Sequence, residues 1–177
     1  MLAKKKLSDS KPHRVVCENI RSAYNVGNII RTADALWWGV ILSWYSAPID
    51  HKKVKKTALG AEESVPIKHF HNNQDAVTWC KGNNLTLISA EKTLTSIPLD
   101  DFIQKNWSLP TTVSNSSIFS VVSPQVALIL GNELFGVEQS TLDQSDYIVH
   151  IPMQGIKESL NVGQAWAILM RALWKNE

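Results

Sequence analysis

Six short apolar runs recur along this chain of 177 residues, and most of them are continuous instead of alternating with polar residues. They cover Val15–Ile20, Val40–Tyr45, Val65–Phe70, Leu85–Ala90, Val126–Leu130 and Tyr147–Ile151. A continuous apolar run is typical of a strand that is covered on both faces, as in a parallel sheet between helices. The runs therefore predict an α/β fold.

Helical patterns lie between or after these runs. In Asn25–Trp38 the apolar residues share one face, and Asn25 is the predicted N-cap. A shorter helix is predicted over Asp75–Lys81, and the longest over Leu160–Lys175. Strands that alternate with helices predict a mostly parallel sheet with helices on both faces, in a single domain over residues 1–177. Residues 1–13 are expected to form a short basic N-terminal extension.

Composition excludes several classes of protein. Hydrophobic residues make up 44% of the chain and charged residues 19%, which is too apolar for a disordered protein. The sequence contains no apolar run of membrane-spanning length and no signal peptide at its start. Cys17 and Cys80 are isolated and form no metal or redox motif. We expect a cytoplasmic protein without a membrane or metal partner.

Charge is unevenly distributed along the chain. Residues 1–60 contain eleven Lys or Arg and four Asp or Glu, whereas residues 61–177 contain seven and twelve. The basic first third indicates either an anionic partner or a solvated basic face, and charge alone does not decide between them. Its densest cluster is Lys52, Lys53, Lys55 and Lys56. Such a cluster is typical of a solvated loop and could also contact phosphates.

Three polar motifs stand at predicted strand ends and helix starts. Asn25-Val-Gly-Asn-Ile-Ile-Arg31 opens the first helix, and Leu130-Gly-Asn-Glu133 follows a buried strand. Ile151-Pro-Met153 leads into Ser159-Leu-Asn-Val162 at the start of the last helix. Strand exits that carry Gly, Glu, Ser and Asn predict a ligand pocket at the carboxyl edge of the sheet.

In this order along the chain, the three motifs resemble those of the SpoU/TrmH-type RNA ribose 2′-O-methyltransferases of the SPOUT superfamily. The segment Lys56-Thr-Ala-Leu-Gly-Ala61 is similar to one found in compact members. The resemblance implies S-adenosyl-L-methionine as cofactor and methyl transfer to a ribose 2′-hydroxyl of structured RNA, with tRNA favoured over rRNA. It also implies a carboxyl-terminal trefoil knot and a homodimer.

The resemblance assigns a cofactor pocket to apolar residues and backbone groups. The residues concerned are Leu130, Gly131, Ile151, Met153 and Leu160. On sequence alone, an ordinary turn glycine is the favoured interpretation of Gly131, whereas a ligand role requires close approach to its backbone. The two usual nucleotide cradles, the P-loop and Gly-x-Gly-x-x-Gly, are both missing from the sequence.

By the same resemblance, the catalytic groups are Arg31, Asn25, Glu133, Ser159 and Asn161, and the lysine cluster contacts RNA. Three of these residues have a plainer interpretation. Arg31 could be a surface residue paired with Asp34, Glu133 a solvated carboxylate, and Ser159 the N-cap of the last helix. One position departs from the family pattern, because Trp37 stands where a glycine is usual.

Two other functions are considered beside methyl transfer. A protein of the same fold could bind RNA without transferring methyl groups, and an unrelated α/β module could bind nucleotides. The intact motif residues argue against the first and the missing cradles against the second. The last helix is apolar over more than one stripe, which independently favours burial against a second subunit.

Overall fold

The computed structural model describes residues 11–107, 124–156 and 159–174. Its centre is a seven-stranded sheet in the order β3-β2-β1-β6-β4-β7-β5, in which every pair of neighbours is parallel. The strands are β1 His13–Glu18, β2 Trp38–Ser43, β3 Ile67–Phe70, β4 Thr86–Ala90, β5 Ile97–Pro98, β6 Val126–Leu130 and β7 Tyr147–His150. All six predicted strands are confirmed, and the short β5 is additional.

Among the described residues, six α-helices connect or follow these strands. They are α1 Ala23–Ala35, α2 Lys52–Ala58, α3 Asn73–Gly82, α4 Leu99–Phe102, α5 Gln139–Leu142 and α6 Val162–Leu173. A 3₁₀ turn covers Ala61–Glu63, and α4 continues into a π-helical turn over Ile103–Trp107. The three predicted helices are confirmed as α1, α3 and α6. The lysine cluster, expected in a loop, lies in α2.

Side chains alternate between two cores on either face of the sheet. In β1, Val15 and Cys17 join one core and Val16 joins the other. The first core is covered by α1, α2 and α6, and the second by α3 and α5. The predicted parallel sheet with helices on both faces is therefore confirmed. The trefoil knot stays a prediction.

The predicted N-caps, Asn25 for the first helix and Ser159 for the last, are both wrong. Ser22 caps α1, because its hydroxyl accepts a hydrogen bond from the Asn25 backbone N–H at 3.3 Å. Asn161 caps α6, because its Oδ1 accepts from the Gly163 N–H at 2.7 Å. Asn161 thus immediately precedes the helix, at a position where asparagine is favoured.

Trp37, at the position where the family usually has glycine, takes a backbone conformation that favours glycine. Its φ is +62°, in the left-handed region that glycine adopts without strain. The helix ends at Ala35, so Trp37 lies in the turn that leads into β2.

Residues 1–10, most of the expected basic extension, and Lys175, at the end of the last predicted helix, lie outside the described residues. Lys11 and His13, at the end of the expected extension, are buried, and His13 begins β1. Within the described ranges, the helices are too short or too polar to cross a membrane.

Candidate active site

The carboxyl ends of β1 and β6 meet at a point where the strand order reverses. From β1 the chain proceeds to β2 and β3 on one side, whereas β4, β5, β6 and β7 lie on the other. Ligands of open α/β sheets bind at such a switch point, outside the carboxyl ends of the strands. A cavity of about 460 Å³ lies beside it, enclosed by the segments that follow β4, β6 and β7.

All five residues predicted to bind the cofactor line this cavity, namely Leu130, Gly131, Ile151, Met153 and Leu160. Further apolar walls come from Ala90, Val149, Val162, Ala165 and Leu169, and polar groups from Glu91, Asn132, Glu133, Ser159 and Asn161. An apolar cavity with a few convergent polar groups is the usual form of a small-molecule site.

Gly131 is required by the protein backbone itself. A Cβ at this position would lie 2.1 Å from the Gly136 carbonyl carbon and 2.1 Å from the Val137 nitrogen. The loop after β6 folds back on itself here, since Asn132 and Gly136 exchange two backbone hydrogen bonds of 2.9 Å. The backbone of residues 136–137 therefore packs closely against Gly131, and this packing shapes the cavity wall.

Glu133 joins the second motif to the first. Its carboxylate accepts hydrogen bonds from the Asn25 side chain at 3.0 Å and from the backbone N–H groups of Arg21 and Ser22 at 3.3 and 3.2 Å. The carboxylate thus lies at the N-terminus of α1, where the helix dipole stabilises negative charge. Glu133 is a structural link at the cavity edge as well as an exposed carboxylate.

The first and third motifs meet at Gly163. A Cβ on Gly163 would lie 2.9 Å from Asn161 Oδ1, 3.3 Å from Asn25 Oδ1 and 3.6 Å from Trp166 Nε1. Trp166 is fully buried, and its indole N–H has no hydrogen-bond acceptor among the described residues. Three polar side-chain atoms therefore converge where α1 and α6 begin.

Arg31 lies apart from this convergence. It is exposed on α1, six residues after Asn25, which corresponds to about 9 Å along a helix axis. It does not line the cavity. Asp34, its possible ion-pair partner, accepts a hydrogen bond of 2.7 Å from the Ser64 hydroxyl. Four of the five predicted catalytic residues therefore come together, and Arg31 does not.

The lysine cluster is exposed on α2 and does not line the cavity. The helix is anchored by buried Val54 and Ala58 and packs against α1. Lys53 Nζ lies 5.4 Å from the ring centre of Tyr24, in the first turn of α1. One lysine is thus held close to the helix that carries Asn25.

Sequence reasoning missed two carboxylates at strand ends. Glu91 follows β4, lines the cavity, and accepts a hydrogen bond of 3.0 Å from the Val137 N–H. Glu18 ends β1 and accepts one of 2.6 Å from the Glu138 N–H. Burial raises the pKa of Glu18 to about 6. The sequence signal that could have identified both residues is a carboxylate at the end of a buried apolar run.

Metal ligands do not cluster in the residues that the structure describes, where no group of three or more His, Cys, Asp or Glu could hold an ion. His69 belongs to β3, and its ring centre lies 6.3 Å from that of His71. Cys17 and Cys80 are free and buried. Both are fully buried core residues, and burial raises the pKa of the Cys80 thiol to about 12.

A parallel sheet with a cavity at its switch point, bordered by the segments after three strands, is the arrangement of α/β proteins that bind small ligands. The model of the SpoU rRNA Methylase family matches residues 12–171, and the chain belongs to this family.

Two curated RNA methyltransferases are similar in sequence to most of this chain. The chain is 26% identical over 166 residues to the tRNA (guanosine(18)-2'-O)-methyltransferase of Escherichia coli, covering 93% of this chain and 64% of that protein. It is 23% identical to the 23S rRNA (guanosine-2'-O-)-methyltransferase RlmB of Coxiella burnetii, with 88% and 55% covered. The chain thus spans less than two thirds of the length of these relatives.

The fold has a close counterpart among solved structures. The SpoU methyltransferase AviRb from Streptomyces viridochromogenes, solved in complex with AdoMet, superposes with a TM-score of 0.75 at 22% identity. The match covers 95% of this chain and 61% of that one. The architecture described above is therefore the SpoU methyltransferase fold.

Proposed function

We propose that the chain transfers a methyl group from S-adenosyl-L-methionine to a ribose 2′-hydroxyl of structured RNA. The observation that carries this proposal is the meeting of the three motifs around one cavity, through Glu133 to Asn25 and through Gly163 to Asn161. A tRNA is favoured over rRNA. The Escherichia coli relative supports a tRNA, whereas the Coxiella burnetii relative acts on rRNA.

The cavity fits the proposed cofactor in size and chemistry. Its volume of about 460 Å³ lies within the range of roughly 300–1,000 Å³ that is common for small-molecule sites. Leu130, Ile151 and Leu160 supply apolar surface for an adenine ring, and strand-end backbone groups can read the ring edge. Glu91 supplies an acceptor for ribose hydroxyls, because a carboxylate has more lone pairs than its two protein hydrogen bonds use.

When bound, the cofactor supplies a methyl group on a sulfonium whose leaving group departs neutral, so the reaction requires no metal. The protein must hold the ribose oxygen in line with the methyl carbon. Asn25, Ser159 and Asn161 supply amide and hydroxyl groups at the cavity edge for this alignment. Glu133 fixes Asn25 and the start of α1.

Arg31 is proposed to bind the phosphate beside the target nucleotide and to stabilise the developing alkoxide. A guanidinium forms bidentate hydrogen bonds to phosphate and keeps its charge, which suits it better to this role than to that of a base. Arg31 lies outside the cavity of its own chain, and we propose that bound RNA and a second subunit complete the site. The proposed homodimer would bring Arg31 or Asn25 of one chain towards the cavity of the other.

Two measurements test this function. Calorimetric titration should detect binding of S-adenosylhomocysteine, and tritiated methyl groups should pass from the cofactor to total RNA. Arg31→Ala should abolish transfer and leave cofactor affinity within about twofold. Cofactor binding without transfer to any RNA would instead favour the RNA-binding protein without activity. If the protein bound no cofactor, the methyltransferase assignment would be lost.

A further inference from the structure

A pair of exposed aromatic rings follows β2 at the same edge of the sheet as the candidate active site. Trp44 is 45% exposed and Tyr45 is 65% exposed, and their ring centres lie 5.3 Å apart. We call Trp44 and Tyr45 the aromatic platform. It plays no part in the core of the described fold or in the cavity.

The turn that carries the platform is fixed to the sheet. The Trp44 N–H donates to the Phe70 carbonyl at 3.0 Å. The Ser46 hydroxyl donates to the Cys17 carbonyl at 2.7 Å and accepts from the Ile20 N–H at 3.0 Å. Trp44 is held at a φ of +49°, a conformation that non-glycine residues adopt at a cost. The rings are thus presented from a fixed backbone.

The platform lies within reach of the cavity. Cys17 pairs with both Leu42 and Leu130, so the platform and the Leu130–Gly131 backbone leave the sheet at the same level. They are two strand spacings apart, which is about 10 Å at roughly 4.8 Å per spacing. A single RNA strand bound at the cavity can therefore extend to the platform.

Lysines lie close to the start of α1, at the same edge of the sheet. Four lysines lie on α2, which begins eight residues after Trp44, and Lys53 is already placed over the Tyr24 ring. Tyr24 is 46% exposed and precedes Asn25 at the cavity edge. Exposed aromatic rings among lysines are the combination by which proteins hold single-stranded nucleic acid, through base stacking and phosphate attraction.

We propose that the aromatic platform stacks an unpaired base of the RNA substrate. The inference rests on the proposed RNA substrate and narrows its class. Paired bases in a duplex expose no face for a tryptophan ring, whereas bases in loops can be unstacked onto aromatic side chains. The platform would then select RNA by shape, since every base has a face for stacking.

The test compares binding of two RNA probes, a hairpin with a single-stranded loop and a fully paired duplex of equal charge, at one salt concentration. Trp37→Ala is the matched control. Trp37 is 46% exposed with a φ of +62°, close to the values of Trp44, but it precedes β2 and so lies at the opposite edge of the sheet. Trp44→Phe retains a ring.

Trp44→Ala should weaken hairpin binding by roughly 5- to 100-fold, the usual effect of losing one stacked base. Trp44→Phe should lose less, Trp37→Ala should match the wild type, and duplex affinity should not change. Equal affinities of Trp44→Ala and Trp37→Ala for the hairpin would overturn the inference, as would wild-type protein that prefers the duplex. A change from dimer to monomer in Trp44→Ala would instead assign the platform to a subunit interface.

Binding and methyl transfer are measured separately, so the two proposals can fail separately. If Trp44→Ala bound the hairpin more weakly but the wild-type protein transferred no methyl group, the proposed activity would be wrong and the platform would stand. If the protein methylated RNA but Trp44→Ala bound the hairpin as tightly as the wild type, the platform would be wrong and the activity would stand.

Discussion

At the scale of single residues, Gly131 shows how a motif residue acts through the fold. Its missing Cβ allows residues 136–137 to pack against it, and this packing sets the wall of the cavity. Gly131→Ala should displace that loop and reduce affinity for S-adenosylhomocysteine by at least about tenfold, or about 1.4 kcal/mol. Calorimetry on the folded variant measures the loss.

Gly155 provides a matched control for this substitution. It lies in the segment after β7, and a Cβ there would meet nothing within 4 Å. Gly155→Ala should bind the ligand as the wild type does. If Gly131→Ala kept wild-type affinity, the packing of residues 136–137 against the glycine would not shape the binding site.

Glu18 gives the protein a predictable pH dependence. Burial raises its pKa from 4.5 to about 6. The native state therefore binds this proton more tightly than the unfolded state, and stability from Glu18 is present below pH 4.5 and lost as the pH rises through 6. Glu18→Gln removes the titration but keeps an acceptor for the Glu138 N–H.

The free energy of unfolding should reveal this effect in urea titrations across the same range. The free energy of unfolding of Glu18→Gln, measured relative to wild type, should increase by on the order of 2 kcal/mol as the pH rises from below 4.5 to above 6. Asp101→Asn, at an exposed carboxyl on α4, controls for loss of a charge. A constant difference between Glu18→Gln and wild type at all pH values would contradict the burial argument.

At the scale of elements, α2 is expected to supply charge to RNA binding without supporting the fold. Its core packing comes from Val54 and Ala58, while its four lysines are exposed. Changing Lys52 and Lys56 to Gln should lower RNA affinity. It should also reduce the slope of log K against log salt by about 0.7–0.9 for each phosphate that the variant no longer neutralises.

The exposed residues Lys81 and Lys105 offer the control, because their double change to Gln alters net charge by the same amount away from α2. Filter binding over a range of salt concentrations measures both slopes. Equal slopes for the two double variants would mean that α2 does not bind phosphates and that its lysines form only a solvated face.

The elements also show which parts of the fold a sequence can predict. Continuous apolar runs identify the long strands, because burial on both faces leaves no polar alternation. The strand Ile97–Pro98 has too few residues to form a pattern, and the lysines of α2 obscure its two anchoring residues. The Asn25 cap failed for another reason, since its side chain bonds Glu133, a partner 108 positions away along the chain.

The same limit applies to the candidate site. The motifs, through the family resemblance, identified the residues that line the cavity, but the packing role of Gly131 depends on a loop that folds back. Glu91 was missed because its significance comes from the Val137 N–H on another loop. Contacts between distant segments are set by tertiary structure, and local pattern carries no information on them.

At the scale of the whole molecule, α6 supports the proposed homodimer. Trp166, Leu169, Met170 and Leu173 are buried within the chain, yet Ile168 remains 44% exposed on the same helix. Light scattering at micromolar concentration should give about twice the chain mass of 19.8 kDa. Ile168→Lys should shift the protein towards monomer and reduce methyl transfer, while S-adenosylhomocysteine still binds.

The exposed Gln164 on α6 offers a control, because Gln164→Lys adds the same charge at a site that is already polar. It should remain a dimer. A stable wild-type monomer with full activity would contradict both the subunit interface and the idea that Arg31 completes the site of a partner.

The central claim concerns the atom that receives the methyl group. The protein should be incubated with RNA and S-adenosylmethionine carrying a labelled methyl, and the RNA then hydrolysed completely in alkali. Alkaline cleavage requires a free 2′-hydroxyl, so methylation at that oxygen leaves the label in an uncut dinucleotide. The account predicts label in dinucleotides, and none with Arg31→Ala. Label in mononucleotides would place the methyl on a base and contradict it.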